Sequence, residues 1–140
     1  MKIYLSGGIT GLTKEESETW RYELINKIYD VILDNRKPRF FDPTRYYEPD
    51  GSYQTSEREV MDYELSVLRS SDLVVVNFNA PYSIGTAMEL AIASEHRIPI
   101  LGLCTPGIQL HPWLESSCTR ICFDMEELVQ HILFYYLPCF

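Results

Sequence analysis

The sequence predicts an α/β three-layer sandwich with a five-stranded parallel sheet. Two observations carry this. Short apolar runs alternate along the chain with stretches whose apolar residues recur every three to four positions. The clearest run, Leu73-Val-Val-Val76, is apolar at every position rather than at every second one, as expected of a strand covered by helices on both faces. At 140 residues and 46% apolar content, the chain fits one domain, 1–140, with a sizeable core.

The elements follow in order. Lys2 to Leu5 reads as a first strand, with Ser6-Gly-Gly-Ile-Thr-Gly11 as the turn after it. Thr13 followed by Glu16 forms a capping box, and Trp20, Leu24, Ile25, Ile28 and Ile32 then recur at helical spacing. A short strand is expected near Arg39 to Phe41, and Asp42 to Ser56, with Pro43, Pro49 and Gly51, reads as a long loop. Loops of that length inside compact domains tend to carry function. A second helix spans about Ser56 to Ser70, with Val60, Met61, Leu65 and Leu68 on its apolar side. Leu73 to Phe78 is the third strand. A third helix runs from near Gly85 to near His96, and a fourth strand from Ile98 to Leu103. Thr105 to Ser117, with Pro106, Gly107 and Pro112, reads as irregular. Arg120 to Phe123 is a fifth strand, and Asp124 caps a last helix bearing Leu128, Ile132 and Leu133. The order is flavodoxin-like or Rossmann-like, and puts strands one and three side by side at the centre. Their C-terminal turns then face each other at the switch point, where such sheets bind ligands.

Composition narrows the function classes. The net charge is −8 and no basic run occurs, which argues against polymeric nucleic acid as a partner. No segment has the apolar length of a membrane helix, and the N-terminus turns polar too early for a signal peptide. The expected setting is cytoplasmic, with no membrane contact. Cys104, Cys118, Cys122 and Cys139 then read as reduced thiols. No His, Cys or Asp cluster has metal-ligand spacing, so no metal and no cofactor is expected.

Three polar side chains converge if this topology holds. Tyr4 interrupts an apolar strand, Asp62 lies in the second helix, and Glu89 opens the third. Singly, each has an ordinary role: a sheet-edge tyrosine, a solvated acid, a helix-start acid favoured by the macrodipole. Gly7, Gly8 and Gly11 do not form a dinucleotide fingerprint. The order and spacing taken together say more. Tyr4-Leu-Ser-Gly-Gly-Ile-Thr-Gly11, then Asp62-Tyr-Glu-Leu leading into Ser71-Asp72-Leu-Val-Val-Val, then Ser83-Ile-Gly85-Thr-Ala-Met-Glu89-Leu-Ala, resemble the nucleoside 2-deoxyribosyltransferase superfamily. That superfamily includes the 2'-deoxynucleoside 5'-phosphate N-hydrolases. The likeness spans about residues 2 to 104, and the Gly-x-x-x-Glu piece is its most specific part.

The resemblance implies roles. Glu89 corresponds to the nucleophile that attacks C1' of the deoxyribose and displaces the base. Tyr4 corresponds to the hydroxyl that orients that carboxylate, and Asp62 to the acid that protonates the leaving base. Gly7, Gly8, Thr10, Ser83, Gly85 and His111 fall where substrate is bound. The chemistry is coherent: cleaving an N-glycosidic bond builds positive charge on the sugar, which a carboxylate below C1' stabilises or traps. Protonating the base is general acid catalysis, worth on the order of 10²–10⁴ in rate. Ser83 at a helix start suits a 5'-phosphate, as in the N-hydrolases. Those hydrolases carry a serine and an arginine where this chain has Gly8 and Thr10, which favours a plain nucleoside unless Arg45 or Arg97 supplies the charge. Both substrates stay open, as does hydrolysis against transfer. The resemblance also implies a homo-oligomer, dimer or tetramer, with a neighbouring subunit completing the site through the stretch containing His111, Trp113, Ser116 and Ser117. Tyr46, Tyr47, Tyr53 and Tyr82 are candidates to stack on a base. The alternatives are a non-catalytic nucleotide-binding module on the same fold, or cleavage of a ribonucleotide or NAD.

Overall fold

The computed structural model describes residues 1–46 and 56–139. Five strands form one all-parallel sheet: β1 (Lys2–Gly7), β2 (Arg39–Phe41), β3 (Leu73–Asn77), β4 (Ile100–Leu103) and β5 (Arg120–Cys122). Their spatial order is β2-β1-β3-β4-β5, the doubly wound arrangement with its switch point between β1 and β3. The helices are α1 (Lys14–Tyr29), α2 (Glu57–Arg69), α3 (Ile84–Glu95), α4 (Pro112–Ser117) and α5 (Met125–His131).

Side-chain alternation along the strands creates two cores. Ile3, Leu5, Leu73, Val75, Leu101 and Leu103 face one way and pack against Trp20, Leu24 and Ile28 of α1 and Leu128 and Val129 of α5. Tyr4, Val74, Val76 and Ile100 face the other way and pack against Val67 and Leu68 of α2 and Leu90 and Ala93 of α3. These are the three expected layers.

The expected caps form at Thr13 and Asp124. Thr13 Oγ1 accepts from Glu16 N at 3.1 Å while Glu16 Oε2 accepts from Thr13 N at 2.9 Å. Ser56 caps α2, Ser83 caps α3 and Asp124 caps α5. At the other end of α3, Arg97 takes a left-handed conformation with φ of 57°. Its N–H bonds to Ser94 O, and Ile98 N–H reaches back to Ala93 O, the paired closure of a Schellman motif. That turn delays the fourth strand from the expected Ile98 to Ile100.

Two stretches differ from expectation. The segment Thr105 to Ser117 is not irregular throughout, because Pro112 occupies the first turn of α4, where its missing N–H costs nothing, and His111 caps it. After α5 the chain widens into a π-helical turn, Ile132–Tyr136, which leaves Phe134 and Tyr135 exposed while Ile132 and Leu137 stay buried. Within the long loop, Pro43–Tyr46 forms a 3-10 turn; Tyr47 and Tyr53 lie outside the described residues. Among the described residues, no helix is long and apolar enough to cross a membrane.

The turn after β1 is pressed against the turn after β3. A Cβ on Gly8 would lie 2.5 Å from Ala80 Cβ, and Gly8 N–H donates to Asn79 Oδ1 at 3.2 Å. Asn79 in turn donates to Glu16 O at 3.2 Å, tying both turns to α1. Gly8→Ala should therefore lower stability by about 1–3 kcal/mol through overpacking, read as a fall in the urea midpoint with an unchanged m-value. Gly11→Ala makes a useful contrast, since its Cβ meets nothing within 4 Å but its φ of +82° charges the cost to backbone strain.

Candidate active site

The register of β1 and β3 sets the site. Tyr4 is opposite Val74, Ser6 opposite Val76, and Gly7 opposite Asn77. Tyr4 and Ser6 therefore present their hydroxyls on the α2/α3 side of the sheet near its C-terminal edge. Both are fully buried. Ser83 starts α3 directly beside this edge, and Glu89 comes about one and a half turns later. The residue Glu89 is half-buried, but its Oε2 is inaccessible to solvent.

The Tyr4 and Ser6 hydroxyls both act on the Glu89 carboxylate. Burial pushes Glu89 up to about 8, and the neighbouring Glu64 charge pushes the same way, while Ser6, Arg21 and Tyr4 oppose the rise. Tyr4 is raised in turn, first by burial and then by the charges of Glu89 and Glu64. It keeps its proton and is suited to donate toward the carboxylate. Glu64 of α2 is pushed up to about 7, by burial first and by Glu57 second, with Arg21 opposing. Tyr4 Oη, Ser6 Oγ, Glu64 Oε1 and Glu89 Oε2 are all buried, and none makes a hydrogen bond of good geometry among the described residues. Buried polar atoms are normally paired, so such a concentration at one end of a sheet suits a polar ligand.

Asp62 is not one of these buried groups. Its side chain is exposed and paired with Arg58, Nε to Oδ2, at 2.8 Å. Helical phase separates it from them: Asp62 lies across α2 from Val60 and from Glu64, each two residues away. Glu64 lies within that apolar stripe, three or four residues from Val60, Met61, Val67 and Leu68, and so turns toward the sheet. An acid inside an apolar stripe is the signal that identifies Glu64 from sequence.

The remaining expected positions are distributed as follows. Gly7 and Gly8 are buried in the first turn, whereas Thr10 and Gly85 are exposed. A Cβ on Gly7 would come within 3.2 Å of both Asn77 O and Trp20 Cζ2, so the turn can close on β3 only with glycine there. Ser83 Oγ caps α3 and lies 3.1 Å from Thr86 Oγ1. His111 is exposed, and its Nδ1 accepts from Trp113 N at 3.2 Å. Ser83 and His111 line a common cavity of about 830 Å³ between α3 and α4, together with Ile84, Met88, Trp113 and Ser117. Neither Tyr4, Glu64 nor Glu89 lines it. Arg97 is excluded as a phosphate ligand by its place at the C-terminal end of α3, the far end of the sheet. Arg45 Nε lies 3.8 Å from Asp42 Oδ2.

An aromatic ladder leads outward from Tyr4. Tyr4 stacks on Phe41 at 5.2 Å, and Phe41 on Tyr46 at 5.1 Å. Tyr63 meets both Phe41 and Tyr46 edge-on. The outer members, Tyr46 and Tyr63, are half exposed. Tyr63 was not among the residues the sequence singled out. Tyr82 stands far out in solvent, 87% exposed.

No protein-family model and no curated protein matches the chain. Solved structures do match its fold over nearly its full length. A conserved protein from Enterococcus faecalis V583 superposes with a TM-score of 0.79 at 17% identity, covering 94% of this chain and 96% of that one. A 2-deoxyribosyltransferase from Bacillus psychrosaccharolyticus gives 0.73 at 15% identity, covering 92% and 90%. The CMP N-glycosidase BcmB from Clostridium botulinum gives 0.61 at 16% identity, covering 96% and 99%. The chain thus has an α/β fold with an acidic site at the β1/β3 switch point. More particularly, it has the flavodoxin-like fold of the 2-deoxyribosyltransferases, so the likeness read from its residues extends to its architecture.

The buried acid has a thermodynamic signature. Glu89 binds its proton more tightly folded than unfolded, so stability falls as pH rises from its unfolded value near 4.5 to about 8. Glu89→Gln removes that penalty. Its Tm should exceed wild type by several degrees at pH 8, with the gap closing toward pH 4.5 in a calorimetric pH series.

Proposed function

We propose that this protein cleaves or exchanges the N-glycosidic bond of 2'-deoxynucleosides or their 5'-monophosphates. The observation that carries the reading is the buried pair Glu89 and Glu64 beside the Tyr4 and Ser6 hydroxyls, at the carboxyl end of β1 and β3 on this fold. Glu89 attacks C1' and displaces the base, forming a glutamyl-deoxyribose ester. Tyr4 and Ser6 orient the attacking oxygen. Glu64, rather than Asp62, delivers a proton to the departing base. Water or a second base then takes the sugar from Glu89, regenerating the carboxylate. The exposed faces of Tyr46 and Tyr63 lie where a heterocycle above the carboxylates finds a stacking surface.

Glu89, raised to about 8, and Glu64, raised to about 7, hold one proton between them near neutrality; most of it sits on Glu89, and the reactive arrangement, with Glu89 ionised and Glu64 protonated, is the minority form of that singly protonated state. The nucleophile must be ionised and the donor protonated, so kcat/KM should rise and fall around pH 7 to 8. Incubation with deoxynucleosides, their 5'-monophosphates and CMP, with base release followed by chromatography, tests the reading. Glu89→Ala should lose at least three orders of magnitude in rate. Glu64→Gln should lose roughly 10²–10⁴ together with the alkaline limb of the profile. Base release that survives Glu89→Ala would remove the proposal. A free acceptor base in the mixture separates the two outcomes: a new nucleoside means transfer, and free deoxyribose or its phosphate means hydrolysis. CMP belongs in the panel because one structural neighbour is named a CMP N-glycosidase; its turnover in preference to the deoxynucleotides would favour the ribonucleotide reading.

The reading includes a homo-oligomer in which a second copy covers the groove between α3 and α4. Ile84 and Trp113 on its rim are about four-fifths exposed, at 78% and 83%, and exposed apolar groups of this density mark interfaces. Trp113→Glu should shift sedimentation toward the monomer and raise KM more than it lowers kcat. A monomeric wild type would refute this part.

A further inference from the structure

We propose that the apolar groove between the end of α1 and the π-helical turn after α5 is a docking surface for a second copy of this chain, in a two-fold contact. The inference does not rest on the enzymatic reading, and the surface is separate from the groove between α3 and α4.

Val31 and Leu33, in the turn after α1, line a groove of about 480 Å³ together with Phe134 and Leu137 beyond α5, and with Arg36 and Gln130. The groove lies at the end of the molecule where the strands begin, because α1 and α5 both finish there. It belongs to the α1/α5 layer, opposite the layer of α2 and α3. Sheets of this class bind small ligands at the other end, where the strands finish. The π-helical turn shapes the surface. Its wider winding keeps Ile132 and Leu137 in the core and leaves Phe134 outside. Such turns are rare and concentrate at functional positions. Leu33 and Phe134 are 74% and 76% exposed, and Val31 and Tyr135 65% each. These four side chains leave roughly 500 Å² uncovered, near the upper size of an apolar patch on a monomer and more than half of the ~800 Å² that one partner buries in a stable complex.

Charge selects the occupant. The chain carries −8 overall, yet the segments around the groove are balanced. Lys27 pairs with Glu126 at 3.9 Å, Lys37 with Asp34 at 2.7 Å and Arg120 with Glu127 at 3.3 Å. Arg36 and Asp30 are left over, one of each sign, and neither has an ion-pair partner among the described residues. Arg36 donates to Leu137 O at 3.3 Å. Asp30 is the exposed C-cap of α1, where an acid meets the negative end of the helix dipole and is disfavoured. A two-fold contact supplies each with what it lacks: Arg36 of one copy meets Asp30 of the other, and the reverse, while the apolar rims close on each other. An anionic membrane or an acidic partner finds no net positive charge here. Because this face and the α3/α4 groove lie on opposite layers, both contacts can form together and build a dimer of dimers.

Sedimentation velocity on the full chain tests the contact, with circular dichroism to show that each variant is folded. The wild type should sediment as a dimer of dimers, and Phe134→Glu should halve its mass. Arg36→Asp and Asp30→Arg should each do the same. The double exchange Arg36→Asp/Asp30→Arg should restore the wild-type mass, because each exchanged charge then meets its exchanged partner. If the wild type is a single dimer, the two faces are told apart by variant: loss of the dimer in Phe134→Glu but not in Trp113→Glu supports this surface, and the reverse overturns it. A folded Phe134→Glu with the wild-type mass overturns the proposal, as does a monomeric wild type. Were that monomer to pellet with phosphatidylserine vesicles, and Phe134→Glu to stay in solution, the patch would belong to a membrane instead.

Discussion

The carboxyl end of this sheet answers to one constraint: two half-buried carboxylates each have an oxygen shut off from water beside a fully buried tyrosine. Removing charge from water is expensive unless it is paired. Glu89 and Glu64 are not paired with each other, and Arg21 already shares its charge with Asp42. The chain resolves the strain by holding protons rather than by adding counter-ions. Both acids sit well above the usual carboxylate range, and Tyr4 keeps its hydroxyl proton. A site in this state is costly to fold and ready to exchange protons near neutral pH, the trade expected where function and stability compete.

The scaffold makes that cost bearable by over-determining the geometry. β1 and β3 are in register from Ile3 and Leu73 to Gly7 and Asn77. Asp72 Oδ2 accepts from Lys2 N at 2.7 Å at the far end, and Asn79 clamps the near end. Gly8 lets the first turn approach Ala80 more closely than any side chain would allow. The aromatic ladder from Tyr4 through Phe41 stiffens the wall. A carboxylate held by rigid elements on several sides needs little reorganisation when charge develops on a bound sugar.

Much of the fold was legible because caps and periodicity are local. Thr13 with Glu16 and Asp124 cap the helices expected of them, and the second and third helices begin within a residue of where the periodicity puts them. The strand order followed from the alternation of strands and helices together with the topology rules for parallel sheets. The site was legible only in part. Tyr4 and Glu89 stood out because they sit in apolar or small-residue surroundings. Asp62 stood out by its position in a motif, whereas Glu64 is the acid that α2 turns toward the sheet: two residues along the helix is more than half a turn, enough to exchange the solvent face for the sheet face. The helix α4 was missed because Pro112 was taken as a breaker, although proline at a first turn opens a helix.

The helix α3 joins the acidic site to the rest of the molecule. Thr86, Leu90 and Ala93 are its buried face against the sheet. Gly85 and Glu89 lie on a second face, and Ile84, Ala87, Met88 and Ala91 line the groove toward α4 on a third. These faces belong to one twelve-residue helix, capped by Ser83 at one end and closed by Arg97 at the other. The Cα–Cβ directions on such a helix are fixed relative to one another, so the positions of Glu89 and of the groove-lining residues are set by the same backbone. The exposed apolar rim of Ile84 and the buried oxygen of Glu89 are thereby two faces of one element, so a surface that covers the rim and a ligand that meets the carboxylate are held by the same helix.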